Sequence, residues 1–216
     1  MKGLLIKDIR TIMQQKTTLM LMWLVGVFML FTYDSYEFSI TYIMFVSGTL
    51  TMTTISYDDF NKGMTFLMTL PITRSMYVKS KYVFMLLNLL VNAVVISVLS
   101  MIAVQVRKMP MGLNDVLFTT TIAVCCLMLF LSVILPFLFK FGAEKGRVVM
   151  FIMVGAITAI AFAITKVAPK ANMGDLVAKL QQLSLPVVMV IIVAIALCLL
   201  MVSMSISSSI IKKKEY

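Results

Sequence analysis

The chain has 216 residues, of which 61% are hydrophobic and only 13% are charged. Soluble domains carry about 25% charged residues, so this composition excludes a soluble domain of any size and indicates an integral membrane protein. In a soluble protein the formal net charge of +10 would suggest nucleic acid. Here the basic residues flank apolar runs, so the lipid bilayer with its anionic surface is the expected partner and nucleic acid is not.

Residues 1–16 precede the first apolar run and have the pattern of an amphipathic helix. Leu5, Ile9, Ile12 and Met13 recur at helical spacing, while the charged residues lie largely elsewhere on the helical wheel. We therefore predict an interfacial helix on the cytoplasmic surface of the membrane. The alternative is a solvated basic tail, which the periodicity disfavours.

Six later runs are apolar enough to cross a membrane, which takes about 20 residues as a helix. They lie at about 17–33, 38–57, 82–106, 116–139, 148–166 and 185–210, within a single transmembrane domain over 17–216. All charged residues fall outside these runs except Lys166, at the edge of the fifth. The predicted fold class is therefore an all-α membrane protein with six transmembrane helices, because a charge at mid-bilayer costs about 2.5–3.5 kcal/mol.

The positive charges are divided unevenly between the two sides of this arrangement. Fourteen Lys and Arg lie on the side of both termini and of the loops 57–81 and 140–147, and five lie on the other side. Since cytoplasmic loops are enriched in Lys and Arg, we predict that both termini and these two loops are cytoplasmic. On the other side, 172–183 has a helical pattern and is expected to form a short external helix.

The most polar stretch of the chain lies between the second and third runs. It contains the adjacent carboxylates of Asp58 and Asp59. As an acid/base pair these two residues lack a positioned partner, so we expect them to be solvated turn residues.

The third run contains neutral polar residues with two open interpretations. Asn88 and Asn92 are four residues apart and share a helix face, and Gln105 lies near the outer end. They either line a transport path or form hydrogen bonds between helices, and packing is the commoner role of Asn in helix bundles. Ion-coupled transporters usually place ionisable groups at this depth, which these runs lack.

No motif for nucleotide, metal or covalent catalysis occurs. The segment "GAEKGR" contains Gly142 and Gly146 but lacks the Lys-Ser/Thr pair of a phosphate-binding loop, and the chain has no His. Its three Cys fit neither a disulfide framework nor a metal motif, and we expect them to be small buried residues. The chain is therefore predicted to be no enzyme and to bind no cofactor itself.

Two segments resemble ABC-2-type transporter permeases of the small six-span branch found in bacteria. The first, "YDDFNKGMTFLMTLPITRSMYVKSKYV" at 57–83, has the Tyr-Asp-x-x-Asn-Lys start, the Leu-Pro-Ile-Thr-Arg turn and the Val-x-x-Lys-Tyr entry to the third helix. The second, "LPFLFKFGAEKGR" at 135–147, is similar to the Pro-containing end of the fourth span and the turn that follows it. The residues of this second cytoplasmic loop that match are Lys140, Gly142, Glu144, Lys145 and Arg147.

The resemblance implies a multi-pass protein of the bacterial cytoplasmic membrane that works with a separate cytoplasmic ABC ATPase. That ATPase would use ATP and Mg, and a second permease copy, identical or related, would complete the path. The first loop would hold a coupling helix seated in a groove of the ATPase, with Phe60 and Met64, four residues apart, as anchors. The ATPase-coupling residues would be Asp58, Asp59, Phe60, Asn61, Lys62 and Met64.

Spans without charge at depth suit hydrophobic or amphipathic cargo, and we expect export of peptides in the first place, with drugs or lipids as further possibilities. Two alternatives remain open at this point. The first is a membrane scaffold or receptor subunit that transports nothing, and the second is an ion-coupled secondary transporter.

Overall fold

The computed structural model describes residues 1–33, 35–60, 63–69, 71–108, 112–167 and 185–213, and within these ranges every regular element is an α-helix. The all-α class is thereby confirmed for the described part of the chain. The predicted external helix at 172–183 lies outside the described residues. The helices are α1 (Lys2–Gln14), α2 (Lys16–Thr32), α3 (Tyr36–Asp59), α4 (Gly63–Thr69), α5 (Arg74–Val106), α6 (Leu113–Val167) and α7 (Leu185–Lys213).

Four of the described helices are long and apolar enough to cross a membrane. They are α3, α5, the Leu113–Gly142 part of α6, and Val187–Lys213 of α7. The helices α1 and α2 meet at an angle of 72° and qualify only as a pair, which would bring the number to five. The predicted fifth span, 148–166, is helical as the later part of α6 but is not among these candidates, so six spans stay a prediction.

The helix α1 forms where the amphipathic pattern predicts it. Its face towards the bundle buries Leu4 and Asp8, whereas Ile9 and Met13 are exposed. An exposed apolar stripe suits a helix lying at a membrane surface, although that location itself stays a prediction.

The helix α5 begins at Arg74 rather than near residue 82, so most of the predicted loop 57–81 is helical. The Thr73 side chain caps it by accepting a hydrogen bond of 3.2 Å from the Met76 backbone N–H. With 33 residues, α5 is about 50 Å long, well beyond the ~30 Å hydrocarbon core. The polar first turns of α5 therefore precede the apolar run, and hydropathy alone does not detect that they are helical.

Contacts along α3 and α5 show that these helices run antiparallel. The Asn88 side chain donates to the Ser47 carbonyl at 2.7 Å, and nearer the start of α5 the Tyr77 hydroxyl donates to Asp58 Oδ2 at 3.0 Å. The helix α7 is likewise antiparallel to α5, because Tyr82 bonds the Ser203 hydroxyl at 2.6 Å and Arg74 donates to the Lys212 carbonyl at 2.9 Å.

The first part of α6 runs parallel to α3. The rings of Phe45 and Phe130 lie 6.5 Å apart, and Gly142 lies against Asp59 at the far end of both helices. Since α6 up to Gly142 and α7 both run opposite to α5, the chain has to return along the bundle between them. This return begins at a sharp bend at Gly142.

Gly142 has φ 80° and ψ 177°, which essentially only glycine adopts. Beyond this bend, Gly146 packs directly against Leu138. Eight residues of straight helix would rise about 12 Å, so this contact requires the chain to fold back.

Candidate functional site

A largely buried group of acidic and basic side chains joins three helices at the end of the bundle where α3 finishes. Lys7 and Asp8 come from α1, Asp58 from α3 and Lys81 from α5, and we refer to these four residues as the charge cluster. Asp8 and Lys81 are each 0% exposed and Asp58 is 8% exposed. With two cations and two anions the charge cluster is formally neutral, as burial of charge requires.

Lys81 is the centre of the charge cluster. Its Nζ lies 2.6 Å from Asp8 Oδ1 and 2.8 Å from Asp58 Oδ2, and it also donates to the Thr54 carbonyl at 3.3 Å. Lys7 donates to Asp58 Oδ1 and lies 3.4 Å from Asp8 Oδ1. Each carboxylate is therefore shared by two ammonium groups, and α1 is tied to both α3 and α5.

The spacing of the contributing residues follows from helix geometry. Thr54 and Asp58 are four residues apart on α3, and Tyr77 and Lys81 are four apart on α5, so each pair occupies one helix face.

On α1, burial raises the pKa of the Asp8 carboxyl above its usual value, and the positive charge of Lys81 opposes that shift. Asp8 Oδ2 has no hydrogen-bond partner among the residues that the structure describes.

The expectation that Asp58 is a solvated turn residue is wrong, because it is buried against two lysines from other helices. Lys81, which lies within the predicted cytoplasmic loop 57–81, is instead fully buried in α5. Sequence reasoning missed Asp8 altogether. The available signal was that Asp8 is the one acidic residue among residues 1–16, where every other charge is basic.

The neighbouring carboxylate, Asp59, faces a different helix. Its Oδ2 lies 2.5 Å from the position that a Cβ on Gly142 would occupy, at the bend of α6. The Asp58 carbonyl lies 3.0 Å from the corresponding position on Gly63, the first residue of α4. Through two consecutive residues, Asp58 and Asp59, the end of α3 is thus joined to α1, α4, α5 and α6.

Several side chains at this end are exposed and available to a partner. Phe60 is 49% exposed and Phe66, on α4, is 67% exposed. In the second loop Lys140 lies 5.1 Å from the centre of the Phe141 ring, and Lys145 is exposed. Of the predicted coupling and second-loop residues, the following lie outside the described residues or have side chains outside them: Asn61, Lys62, Met64, Glu144 and Arg147.

The predicted polar residues of α5 are placed differently from one another. Asn88 bonds the Ser47 carbonyl of α3 and so joins two helices. Asn92 donates to the Asn88 carbonyl at 2.7 Å and to Asn88 Oδ1 at 3.0 Å, one turn away on its own helix. Gln105 is exposed near the other end.

The cysteines also differ from their prediction. Cys125 is buried as expected, but Cys126 and Cys198 are exposed. In an apolar bundle their exposure places the two thiols on outer surfaces of the helices or in grooves between them.

Long apolar helices, joined at one end by a buried charge cluster and an exposed helical loop, define a multi-pass integral protein of the cell membrane. The family is equally clear. The model of the ABC-2 family transporter proteins matches residues 3–212, and the chain belongs to that family. It is thus an ABC-2-type permease, the kind of membrane subunit that has no nucleotide-binding domain of its own and implies an ABC ATPase partner. Searches of curated proteins and of solved structures give no match.

Proposed function

We propose that the chain is the permease subunit of an ATP-driven exporter and moves hydrophobic or amphipathic cargo, foremost peptides, out of the cell. A cytoplasmic ABC ATPase hydrolyses ATP with Mg, and a second permease copy completes the path. One observation carries the proposal: the end of α3 contacts α1, α4, α5 and α6 through two consecutive residues, Asp58 and Asp59.

Such a junction would transmit force. In the proposed mechanism α4 and the exposed Phe60 and Phe66 seat in a groove of the ATPase. Movement of α4 reaches Asp58 through the direct contact at Gly63. From Asp58 the movement passes to α1 and α5, because the ion pairs of the charge cluster join Asp58 directly to both helices.

Asp59 would provide the second branch of the same transmission. Its contact with Gly142 connects α3 to the bend that separates the two parts of α6. A shift at the end of α3 would therefore change the angle at which the later part of α6 returns along the bundle. Closing one end of a helical bundle while opening the other is the requirement of alternating access.

The choice of cargo follows from the apolar character of the spans. The long helices carry their charged residues at or near the ends, and the buried polar groups between them are mostly Ser, Thr and Asn. A path built from such faces does not compensate a fully charged solute, but it accommodates molecules with extensive apolar surface.

The test begins with the tagged full-length chain purified from native membranes, with mass spectrometry identifying any retained ATPase by its nucleotide-binding motifs. The pair is then reconstituted in liposomes and its ATP hydrolysis is measured. We expect Phe60→Ala and Phe66→Ala to weaken retention of the ATPase, because both remove exposed aromatic contacts. Phe38→Ala is the matched control, since the exposure of Phe38, 56%, lies between those of Phe60 and Phe66, and Phe38 is at the opposite end of α3.

Asp59→Lys separates binding from transmission. We expect this variant to retain the ATPase but to lose the stimulation of hydrolysis by cargo, because it disrupts the contact with Gly142 inside the permease. Absence of any ATPase from the purified protein favours the scaffold alternative. Transport that an ionophore abolishes while ATP is intact favours an ion-coupled transporter, and either result contradicts the proposal.

A further inference from the structure

A cavity of about 940 Å³ opens between α3 and α6, at the end of the bundle opposite to the charge cluster. Its walls are mainly apolar and include Phe45, Phe118, Ile122 and Phe130. This volume lies in the range of small-molecule binding sites, about 300–1,000 Å³. We call it the α3–α6 cavity.

Among the described residues, one charged group lines the α3–α6 cavity, the carboxylate of Glu37 in the first turn of α3. This carboxylate makes no ion pair with any described residue. The hydroxyls of Thr41 and Thr119, which also line the cavity, donate to the carbonyls of Glu37 and Asp115 in their own helices. The hydrogen atoms of both hydroxyls are therefore engaged, and Glu37 supplies the negative charge of the described lining.

Arg107, just after the end of α5, makes no ion pair with Glu37. Arg107 donates to the backbone carbonyls of Leu30 and Tyr33, where α2 ends, and it does not line the cavity. A carboxylate at the rim of an apolar groove that pairs with no cation of the described chain costs desolvation energy when the groove fills with apolar material. A cationic group on the ligand would offset that cost.

We propose that the α3–α6 cavity binds a single-tailed amphiphile with a cationic head group. The head pairs with Glu37, and aromatic faces such as that of Phe118 favour a cation at the same end. The tail lies against Phe45 and Phe130 deeper in the cavity. This ligand would belong to the amphipathic cargo of the exporter, so the inference rests on the proposed export function.

Charge complementarity distinguishes this ligand from the other candidates for the cavity. An anionic lipid would bring a second negative charge next to Glu37 and is disfavoured. A second copy of the chain would cover the apolar walls without any requirement for a positive charge. The preference for a cation over an anion with the same tail is therefore the property to measure.

Cys126 provides the readout, because it is exposed and lines the α3–α6 cavity, whereas Cys198 is exposed elsewhere. The full chain in lipid nanodiscs is alkylated with N-ethylmaleimide, and peptide mass spectrometry follows both rates. The probes are dodecyltrimethylammonium, dodecyl sulfate and uncharged dodecyl maltoside, which share one tail. At a concentration about ten times its Kd, the cationic probe should slow alkylation of Cys126 about ten-fold, since protection follows the ratio of ligand to Kd.

Two carboxylate variants form a matched pair. Glu37→Gln should weaken the affinity for the cationic probe about ten-fold, because a charge-assisted contact is lost, so the same probe concentration should slow alkylation only about two-fold. Asp115→Asn removes a negative charge at the same end of α6 without altering the cavity lining, and protection should stay as in the native chain. Alkylation of Cys198 should be unaffected by the cationic probe in all three proteins.

Three outcomes would overturn the inference. Equal protection of Cys126 by all three probes would show that the site accepts any alkyl chain. An equal loss of protection in Glu37→Gln and Asp115→Asn would show that only the overall negative charge at this end of the bundle matters. A Cys126 that is unreactive without any probe, beside a reactive Cys198, would show that a second copy or a lipid covers the cavity. Because no ATPase is present, these results leave the coupling experiment with Phe60 and Phe66 untouched.

Discussion

Lys81 neutralises two buried carboxylates, those of Asp8 and Asp58, in the charge cluster. Lys81→Met keeps a side chain of similar length but leaves the remaining cluster with excess negative charge. We expect the free energy of unfolding to fall by about 3–5 kcal/mol, because an uncompensated charge then stays buried. Thermal unfolding measured through the reaction of the buried Cys125 with a thiol-reactive dye, with the other two cysteines replaced by Ser, reports this change.

The control for this prediction is Lys79→Met on the same helix, where the lysine is exposed and the change should be within about 0.5 kcal/mol. Adding Asp58→Asn to Lys81→Met leaves Lys7 and Asp8 as a neutral pair and should recover part of the lost stability. Equal stability of the Lys79 and Lys81 variants would contradict the role assigned to the charge cluster.

The bend of α6 depends on a single residue, Gly142. Gly142→Ala places a methyl group 2.5 Å from Asp59 Oδ2 and forces a non-glycine residue to φ 80°, ψ 177°. We expect a loss of about 1–3 kcal/mol, measured by the same Cys125 unfolding assay. Gly155→Ala, in open space within the later part of α6, should be neutral or slightly stabilising, and similar losses in both variants would count against a strained bend.

The individual positions of the charge cluster show where sequence reasoning stops. The pattern of residues 1–16 predicts which face of α1 is apolar, and that face is the exposed one at Ile9 and Met13. The pairing of Asp8 with Lys81 could not be predicted, because these residues are 73 positions apart and only the packing of α1 on α5 joins them. A buried ion pair leaves no periodic signal in the sequence.

Among the helices, α2 approaches α3 closely where Gly26 faces the buried Ile43. A Cβ on Gly26 would overlap the Ile43 side chain, so Gly26→Ala should push α2 away and cost about 1–3 kcal/mol. Ile43→Ala removes the overlapping atoms, and the double variant should be less destabilised than the sum of the two single changes. Unfolding of all four proteins in a double-mutant cycle measures this coupling.

Gly3→Ala on α1, where nothing lies within 4 Å of the added methyl group, is the control for Gly26→Ala. It should leave stability unchanged or raise it slightly, since Ala is the better helix former. Strictly additive effects of Gly26→Ala and Ile43→Ala would show that the two helices do not touch at this point.

Hydropathy predicts the positions of the long helices because apolar length is a direct requirement of the bilayer. It misplaces the start of α5, since the turns from Arg74 to Lys81 are polar and are stabilised by the Thr73 cap and the charge cluster. The resemblance predicts a short coupling helix within the loop, and a short helix, α4, lies there at Gly63–Thr69. Its service as a coupling helix stays a prediction.

For the molecule as a whole, helix direction constrains the number of crossings. The helices α3, α6 up to Gly142, and α7 all run opposite to α5. The first part of α6 and α7 are therefore parallel to each other, and the chain between them has to return to the other end of the bundle. Composition alone counts apolar runs and gives no direction, whereas the contacts of Asp59 and Arg74 with their neighbouring helices supply it.

Single cysteines introduced into a background without native cysteines decide whether this return crosses the membrane. Lys79→Cys and Lys108→Cys mark the two ends of α5, and Lys145→Cys follows the bend of α6. Lys170→Cys tests the predicted outer loop, which lies outside the described residues. A membrane-impermeant maleimide on intact cells should label positions 108 and 170, whereas 79 and 145 should react only after permeabilisation, because the Lys-rich side faces the cytoplasm. Labelling of positions 145 and 170 from the same side would mean that residues 148–166 do not cross, and the six-span arrangement would be wrong even if α5 spans as expected.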